Sequence, residues 1–311
     1  MVLIKINIFF LVFFTVFLSA DVKKIQEECR RVTKAAKNVR AFEGSQGWLF
    51  SFKELQHMSR KELWTSAVLK EIKNYSEALE KEGITLHVVP VPPKVAVYPE
   101  FFSAGLKPAN PYEEFHRQLK DSGVSSIDLF PQFLELKKSE KAFCKQDSHF
   151  SPQMAVKIAS QLCIPLKNHK INGKISVKEE FMEINGDLRR QLEEQPEAEK
   201  LKFSFVNPRD PGIPNTDSPV LLLGDSNLLI YHKGGDMISR DAGIADHLSA
   251  KVGKSVDLMA VKGSGINIAR IDLYRRFMNP TYLKKKKTVI WCFAAHELTE
   301  TEKWKSIPVK R

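Results

Sequence analysis

The stretch that most restricts what this chain can become is Pro219-Val220-Leu221-Leu222-Leu223-Gly224-Asp225-Ser226-Asn227. Four apolar residues, Val220 to Leu223, run without a polar break. That is the pattern of a strand buried on both faces, as in a parallel sheet covered by helices. The run ends at Gly224, a residue free to take a sharp backbone conformation. Ser226 follows at the carboxyl end, where α/β sheets keep their ligand crevices. A serine there lies among free backbone N–H groups, the surroundings that an acyl-transfer nucleophile and its oxyanion hole require. Gly-Asp-Ser alone is also an ordinary strand-to-loop turn, so the reading depends on a base elsewhere in the chain.

The rest of the chain supplies partners for that strand. Asp21–Val39 reads as a charged helix, an N-terminal arm over residues 21–40 that precedes one domain over 41–311. Gly44–Phe52 is a turn followed by an aromatic strand. Ser59–Glu82 is a long helix with Leu63, Ala67, Leu69, Ile72 and Leu79 spaced along an apolar face, stopped by Gly83. Ile84–Val89 is a strand closed by Pro90. Pro111–Gly123 reads as a helix, Ser125–Leu129 as a strand and Phe130–Ser139 as a short helix. Ser151 as N-cap and Pro152 in the first position open a helix running to about Leu162. Residues 167–214, with short β-like pieces around Gly173 and Gly186, an acidic run Glu193–Glu199 and proline-rich Pro208–Pro214, read as an insertion. Helix Ile244–Val252, strand Ser255–Val261, helix Ile266–Phe277 and strand Thr288–Phe293 complete the series. Strands alternating with helices predict an α/β fold with a mostly parallel central sheet between helical layers.

Composition bounds the function. With 311 residues, 43% hydrophobic and 27% charged, the chain can bury a sizeable core and is not a disordered polymer. Met1–Ala20 carries Lys5, then the apolar run Ile8–Leu18, then Ser19-Ala20, the order of a secretory signal. Leu18, three before that cut, is larger than a cleavage site favours, so a cleaved leader and a retained membrane anchor both stay open. The expected location is the periplasm, or a membrane anchorage facing it. The net charge of +11 comes without any nucleic-acid motif, so nucleic acid is not an expected partner. Lys284–Lys287 reads as a solvated loop. Cys29, Cys144, Cys163 and Cys292 fit no metal spacing; in an oxidising compartment they form disulfides, or Cys144 and Cys292 stay as buried thiols. No metal or cofactor is called for.

Acyl transfer by serine needs a base and a group that orients the base. Among eight histidines, His149 stands out because Asp147 precedes it by two residues, so both side chains project to one side of an extended turn. The helix opened by Ser151 would fix that turn. Asp-Ser-His alone is also a common surface loop.

The motifs together resemble the SGNH-hydrolase-like domain of the alginate O-acetyltransferase family, the AlgX/AlgJ type. The likeness is carried by Asp147-Ser148-His149-Phe150-Ser151-Pro152, Gly224-Asp225-Ser226 and the Gly47-Trp48-Leu49-Phe50 corner. It extends to Val89-Pro90-Val91-Pro92-Pro93-Lys94 with Tyr98-Pro99-Glu100, and to Val289-Ile290-Trp291 leading to Glu297-Leu298-Thr299. In ordinary SGNH hydrolases the serine comes first; here the Asp/His pair precedes it, the permuted order of these acetyltransferases. The resemblance implies a flavodoxin-like three-layer sandwich. It makes Ser226 the nucleophile, His149 the base and Asp147 its orienting carboxylate, with Gly265 and Asn267 as oxyanion candidates. Lys94 and Tyr98 are candidates for a glycan groove. It implies an exported polysaccharide as acceptor and a membrane-bound O-acyltransferase as the donor's carrier. An acetylesterase with the same triad, and a glycan-binding or assembly protein without catalysis, are the competing readings.

Overall fold

The computed structural model describes residues 19–36, 39–166, 176–207, 212–300 and 304–310. The N-terminal segment up to Leu18 that was expected to act as a leader or anchor, Gly173 and the prolines at 208 and 211 lie outside the described residues. No described helix is long and apolar enough to cross a membrane.

Five parallel strands form the central sheet: β1 (Thr85–Val91), β2 (Ser125–Ser126), β3 (Val220–Gly224), β4 (Asp257–Ala260) and β5 (Thr288–Ala294). Their order across the sheet is β4-β3-β5-β1-β2. Counted from β3 instead of β1, that order becomes 2-1-3-4-5, the doubly wound arrangement of flavodoxin-like folds. The chain is therefore a permuted version of that fold. β3 and β5 flank the switch point, where the connections leave in opposite directions and open a crevice. Leu221, Leu222 and Leu223 are fully buried, as an unbroken apolar run demands.

The link from β3 to β4 is the helix Ile244–Val252, and the link from β4 to β5 is the helix Asn267–Phe277 followed by Pro280–Lys285. The first crossover moves outward and the second moves back, so right-handedness places them on opposite faces. Pro152–Cys163 packs beside Ile244–Val252, and Ser66–Glu80 lies against β1. On the face shared by Ser66–Glu80 and Asn267–Phe277, the Arg270 guanidinium is enclosed by Tyr75, Trp291 and Trp304. The N-terminal helix Ala20–Ala35 buries Val22, Ile25, Cys29 and Val32 and packs on Phe52–Met58. Ser19 caps it through the Val22 N–H.

Several local expectations change. β1 runs through Pro90 to Val91 instead of stopping, because its even-numbered residues face β2. β2 ends at Ser126, so the N–H that Pro90 lacks has no ladder partner to lose. Gly224 is required by close approach, not by a special backbone angle: a Cβ there would sit 1.8 Å from the Cys292 carbonyl oxygen. The lysine run is not a solvated loop. Lys284 and Lys285 close the helix Pro280–Lys285, and Lys286 is fully buried, pairing with Asp257 at 2.8 Å. All four cysteines are free thiols, with no disulfide among them. Within residues 176–206, two strands, Val177–Ile184 and Glu199–Val206, pair antiparallel as a hairpin whose inner residues Leu201 and Phe203 are buried.

Candidate functional site

All five strands point the same way, so the segments that follow them meet at one edge of the sheet. Ser226 leaves β3 in a short 3₁₀ turn, Ser226–Leu228, held by the Asp225 carboxylate, which accepts the Asn227 N–H at 2.8 Å. The chain beyond β2 travels back over the same edge as a loop closed by the Phe143–Phe150 bridge. Ser151 then caps the helix Pro152–Cys163 by accepting the Met154 N–H. Asp147 and His149 sit at the tip of this loop.

The two motifs meet although 77 residues separate them: His149 Nε2 lies 2.8 Å from Ser226 Oγ. His149 Nδ1 is 2.7 Å from Asp147 Oδ1, which also accepts the His149 N–H at 2.9 Å. With a proton on Nδ1 held by Asp147, Nε2 presents its lone pair to the serine hydroxyl. Burial alone would lower the His149 pKa, but the adjacent Asp147 charge and hydrogen bond outweigh it and raise it to about 9. Burial would likewise raise Asp147, yet His149 and the amides around it hold it at about 2. Ser226 remains half-buried. Its own backbone N–H has no acceptor among the described residues.

The sequence reading missed the supports of this loop. Asp187, on the turn of the hairpin, accepts from Ser148 N at 2.7 Å and Ser148 Oγ at 2.6 Å, and donates its N–H to Asp147 Oδ2 at 2.8 Å. Gly186 permits this approach, since a Cβ would lie 2.1 Å from the Gln146 carbonyl oxygen. Glu199, from the other hairpin strand, accepts the Lys145 N–H at 2.7 Å and pairs with Lys141 at 2.8 Å. Gly186 and the acidic run were the only signals, and neither points at a distant turn. Asp147, His149 and Asp187 offer ligand atoms within 4.8 Å of one another. Each carboxylate oxygen among them already accepts a hydrogen bond, so the set is a closed network around the imidazole.

Three of the remaining candidates, Lys94, Tyr98 and Gly265, fall in different places from those expected. Lys94 is fully buried and cannot line a groove: its Nζ donates to the carbonyls of Leu49 at 2.9 Å and Asp147 at 2.5 Å. Burial lowers its pKa while the nearby Glu54 carboxylate pulls it up. Tyr98 is buried too, stacked on Trp48 at 4.2 Å, and its hydroxyl accepts the Ala142 N–H at 2.8 Å. Both residues hold the Asp147–His149 loop from beneath. Gly265 gives its N–H to Glu297 Oε1 at 3.0 Å, which removes it from the oxyanion position. Asn267 Oδ1 is engaged by Arg270 at 3.2 Å and by the Lys305 N–H at 3.3 Å.

Comparison with known proteins places this geometry. Residues 41–295 match the family described as the SGNH hydrolase-like domain of the acetyltransferase AlgX. A protein of Pseudomonas syringae pv. tomato described as "Probable alginate O-acetylase AlgJ" is 31% identical over 123 residues, which cover 38% of this chain and 31% of that one. Its Azotobacter vinelandii namesake is 27% identical over 128 residues, covering 40% of this chain and 33% of that one. The chain thus aligns with about a third of the length of these relatives. Among solved structures, the O-acetyltransferase domain of Pseudomonas putida AlgJ superposes with a TM-score of 0.64 at 22% identity, over 85% of this chain and 93% of that one. Pseudomonas aeruginosa AlgX gives a TM-score of 0.60 at 17% identity, over 87% of this chain and 66% of that one. The permuted sheet and the family match over most of its length make this chain a member of the AlgX-type family of SGNH hydrolase-like domains.

Proposed function

We propose that this protein is a polysaccharide O-acetyltransferase working through an acetyl-serine intermediate, and the observation that carries the reading is the 2.8 Å contact between Ser226 Oγ and a His149 oriented by Asp147. Ser226 Oγ attacks the acetyl carbonyl of the donor while His149 Nε2 takes its proton. The oxyanion that forms is met by the Ser226 backbone N–H, the donor left free at the turn. His149 returns the proton to the departing group, leaving acetyl-Ser226. A sugar hydroxyl then gives its proton to His149 and attacks the acetyl carbon; as the tetrahedral intermediate collapses, His149 hands that proton to the departing Ser226 Oγ, releasing the acetylated glycan and the free serine. Asp147 stays ionised and stabilises the imidazolium in both halves. Family membership and the leader-like N-terminus support an exported polysaccharide as acceptor, a membrane-bound O-acyltransferase as donor partner and a periplasmic location.

The test is incubation of the purified protein with a chromogenic acetyl ester and oligosaccharides, with mass spectrometry of both protein and sugar. Acetyl-Ser226 and acetylated sugar are expected. Acetate as the sole product would make the protein an esterase. Turnover unchanged in Ser226→Ala would remove the triad from the chemistry altogether.

A further inference from the structure

The nucleophile segment and the base loop meet at a second point, away from the triad. Tyr231, fully buried, donates its hydroxyl proton to the Phe150 carbonyl at 2.6 Å, and Phe150 is the residue after His149. The Cys144 thiol completes the contact, with Sγ 3.2 Å from the Tyr231 hydroxyl and 3.5 Å from the same carbonyl. Among the described residues, hydrogen bonds cross between the turn 226–231 and the loop 142–151 at these groups and at Ser226 with His149, and nowhere else.

Backbone geometry explains why that carbonyl needs a partner. Phe143 and Phe150 face each other as a pair with no hydrogen bond of its own: on either side of it, Ser151 N–H donates to the Ala142 carbonyl at 3.0 Å and Cys144 N–H to the His149 carbonyl at 3.3 Å. In such a pair the Phe150 carbonyl turns away from the opposite strand. It is buried with its residue and has to find a donor elsewhere. Tyr231 supplies one because it stands on the nucleophile's own turn. There the Leu229 and Ile230 N–H groups both bind the Ser226 carbonyl at 2.9 Å, and the Ala242 N–H binds that of Tyr231 at 2.9 Å. The Tyr231 ring lies edge-on against Phe150 at 6.4 Å and against Phe203 of the hairpin at 5.5 Å. Burial holds the hydroxyl well above its ordinary pKa, so it keeps the proton it donates.

We propose that Tyr231 is a positioning residue for the second half of acetyl transfer: its bond to Phe150 holds His149 beside the nucleophile once Ser226 carries the acetyl group. In the free protein the Ser226 hydroxyl donates to His149 Nε2 and itself helps to place the ring. Acetylation replaces that proton with the acetyl group, so the bond loses its donor. His149 must still stand within reach of the acceptor. It takes the proton of the sugar hydroxyl as the sugar oxygen bonds to the acetyl carbon, then passes it to Ser226 Oγ as the ester bond breaks. Of the two crossings, the one at Tyr231 outlasts this exchange, since its hydroxyl and the Phe150 carbonyl take no part in the chemistry. The kinetic arm of the test rests on the acetyl-transfer reading; the spectroscopic arm does not.

The experiment compares the full chain with Tyr231→Phe, Ser226→Ala and the double variant. With a chromogenic acetyl ester and an oligosaccharide acceptor, the pre-steady-state burst of acetylation should slow little in Tyr231→Phe. Transfer to the sugar should slow on the order of 100-fold, the cost of a misplacement of about 1 Å at a reacting centre, and acetyl-Ser226 should accumulate in mass spectra. A general loss of stability would slow both halves alike, so equal slowing of the two steps, or an unchanged transfer rate, would overturn the proposal. Ser226→Ala imitates the loss of the hydroxyl donor, and proton NMR then reads the low-field resonance of the Nδ1–H that His149 shares with Asp147. That resonance should persist in Ser226→Ala and be lost to solvent exchange in Ser226→Ala/Tyr231→Phe. Its loss in Ser226→Ala alone would refute the role without recourse to any Tyr231 variant, and its survival in the folded double variant would do the same. If the unsubstituted protein forms no acetyl-Ser226, the transferase reading fails, and the resonance still decides whether Tyr231 holds the base.

Discussion

Replacing Lys94 with methionine removes a buried ammonium and keeps most of its apolar length, which makes it a sharp probe of how the base is held. In the folded protein Nζ reaches three carbonyls, those of Leu49, Lys145 and Asp147, at 2.9, 3.5 and 2.5 Å. Leaving a buried acceptor without its donor costs about 1–3 kcal/mol, and two of these contacts are short enough to count. Removing one member of a buried charged set costs about 3–5 kcal/mol when its partner stays ionised. Here the partner has an escape: burial raises the Glu54 carboxyl to about 7, so it takes up a proton once Lys94 is gone. The expected net loss is therefore at the lower end, about 3 kcal/mol. With a urea m-value of about 3 kcal/mol/M, the unfolding midpoint should fall by about 1 M. Turnover should fall further than stability alone explains, because Asp147 loses the bond that fixes its backbone. Adding Glu54→Gln to Lys94→Met should restore part of the loss, a coupling on the order of 1 kcal/mol between neighbouring sites. A midpoint within about 0.2 M of the unsubstituted protein would refute the idea that Lys94 supports the loop.

Other perturbations test the same loop and the sheet beneath it. Asp187→Asn removes a charge that raises the His149 pKa, so the rising limb of kcat/KM against pH should move to lower pH; an unmoved limb would mean that Asp187 does not act on the imidazole. His149 has a folded pKa of about 9 against an ordinary 6.5, so its contribution to stability is complete below about 6.5 and is lost as pH rises to about 9. Asp147, held at about 2, contributes above its ordinary 3.8 and loses that contribution as pH falls toward 2. Thermal melting of His149→Ala should accordingly vary less between pH 6.5 and 9 than that of the unsubstituted protein; parallel curves would contradict the linkage. Gly224→Ala places a methyl 1.8 Å from the Cys292 oxygen and should destabilise by about 3 kcal/mol or prevent folding, read as a urea midpoint. A midpoint equal to that of the unsubstituted protein would show that β3 and β5 can part at no cost.

The three side chains that meet in the cleft were legible in the sequence because each announces itself locally. An unbroken apolar run dictates a strand buried on both faces, and Ser226, two residues after its glycine, must emerge at the carboxyl edge. Asp147 and His149 are two residues apart in an extended segment, so their shared direction follows from backbone geometry. Helix Pro152–Cys163 was legible for the same kind of reason, an N-cap serine followed by proline. The supports were hidden because their partners are remote. Asp187 lies 40 residues from the Asp147 carboxylate it helps to hold. Lys94 and Lys286 belong to a residue type that is mostly exposed, and only the tertiary fold supplies the carbonyls and carboxylate that let them be buried. The resemblance offers Gly265 as an oxyanion candidate, while Glu297, which claims its amide, enters from the short helix Glu297–Glu300 that follows β5 later in the chain.

The two halves of the site are held by different physics. Ser226 leaves a strand whose neighbours on both sides are hydrogen-bonded to it, and its position is set by the sheet. His149 has no such frame. It reaches the cleft on a loop from the β2 edge, and its place depends on Lys94 and Tyr98 beneath and on Asp187 and Glu199 above. Those contacts are polar and buried, and each holds only a residue or two. Removing one should shift the imidazole by a fraction of an ångström long before it unfolds the domain. Permutation explains how such a division arises. Strand order in space is kept, so the crevice persists, but the chain reaches the base before it has built β3 and β5. The loop waits for the sheet and the hairpin to fix it. Substitutions of the hairpin's polar supports, Asp187 and Glu199, should therefore lower kcat at nearly constant melting temperature, whereas substitutions in β3 should lower both together. A hairpin variant such as Glu199→Gln that melts early yet keeps full kcat would reverse that assignment.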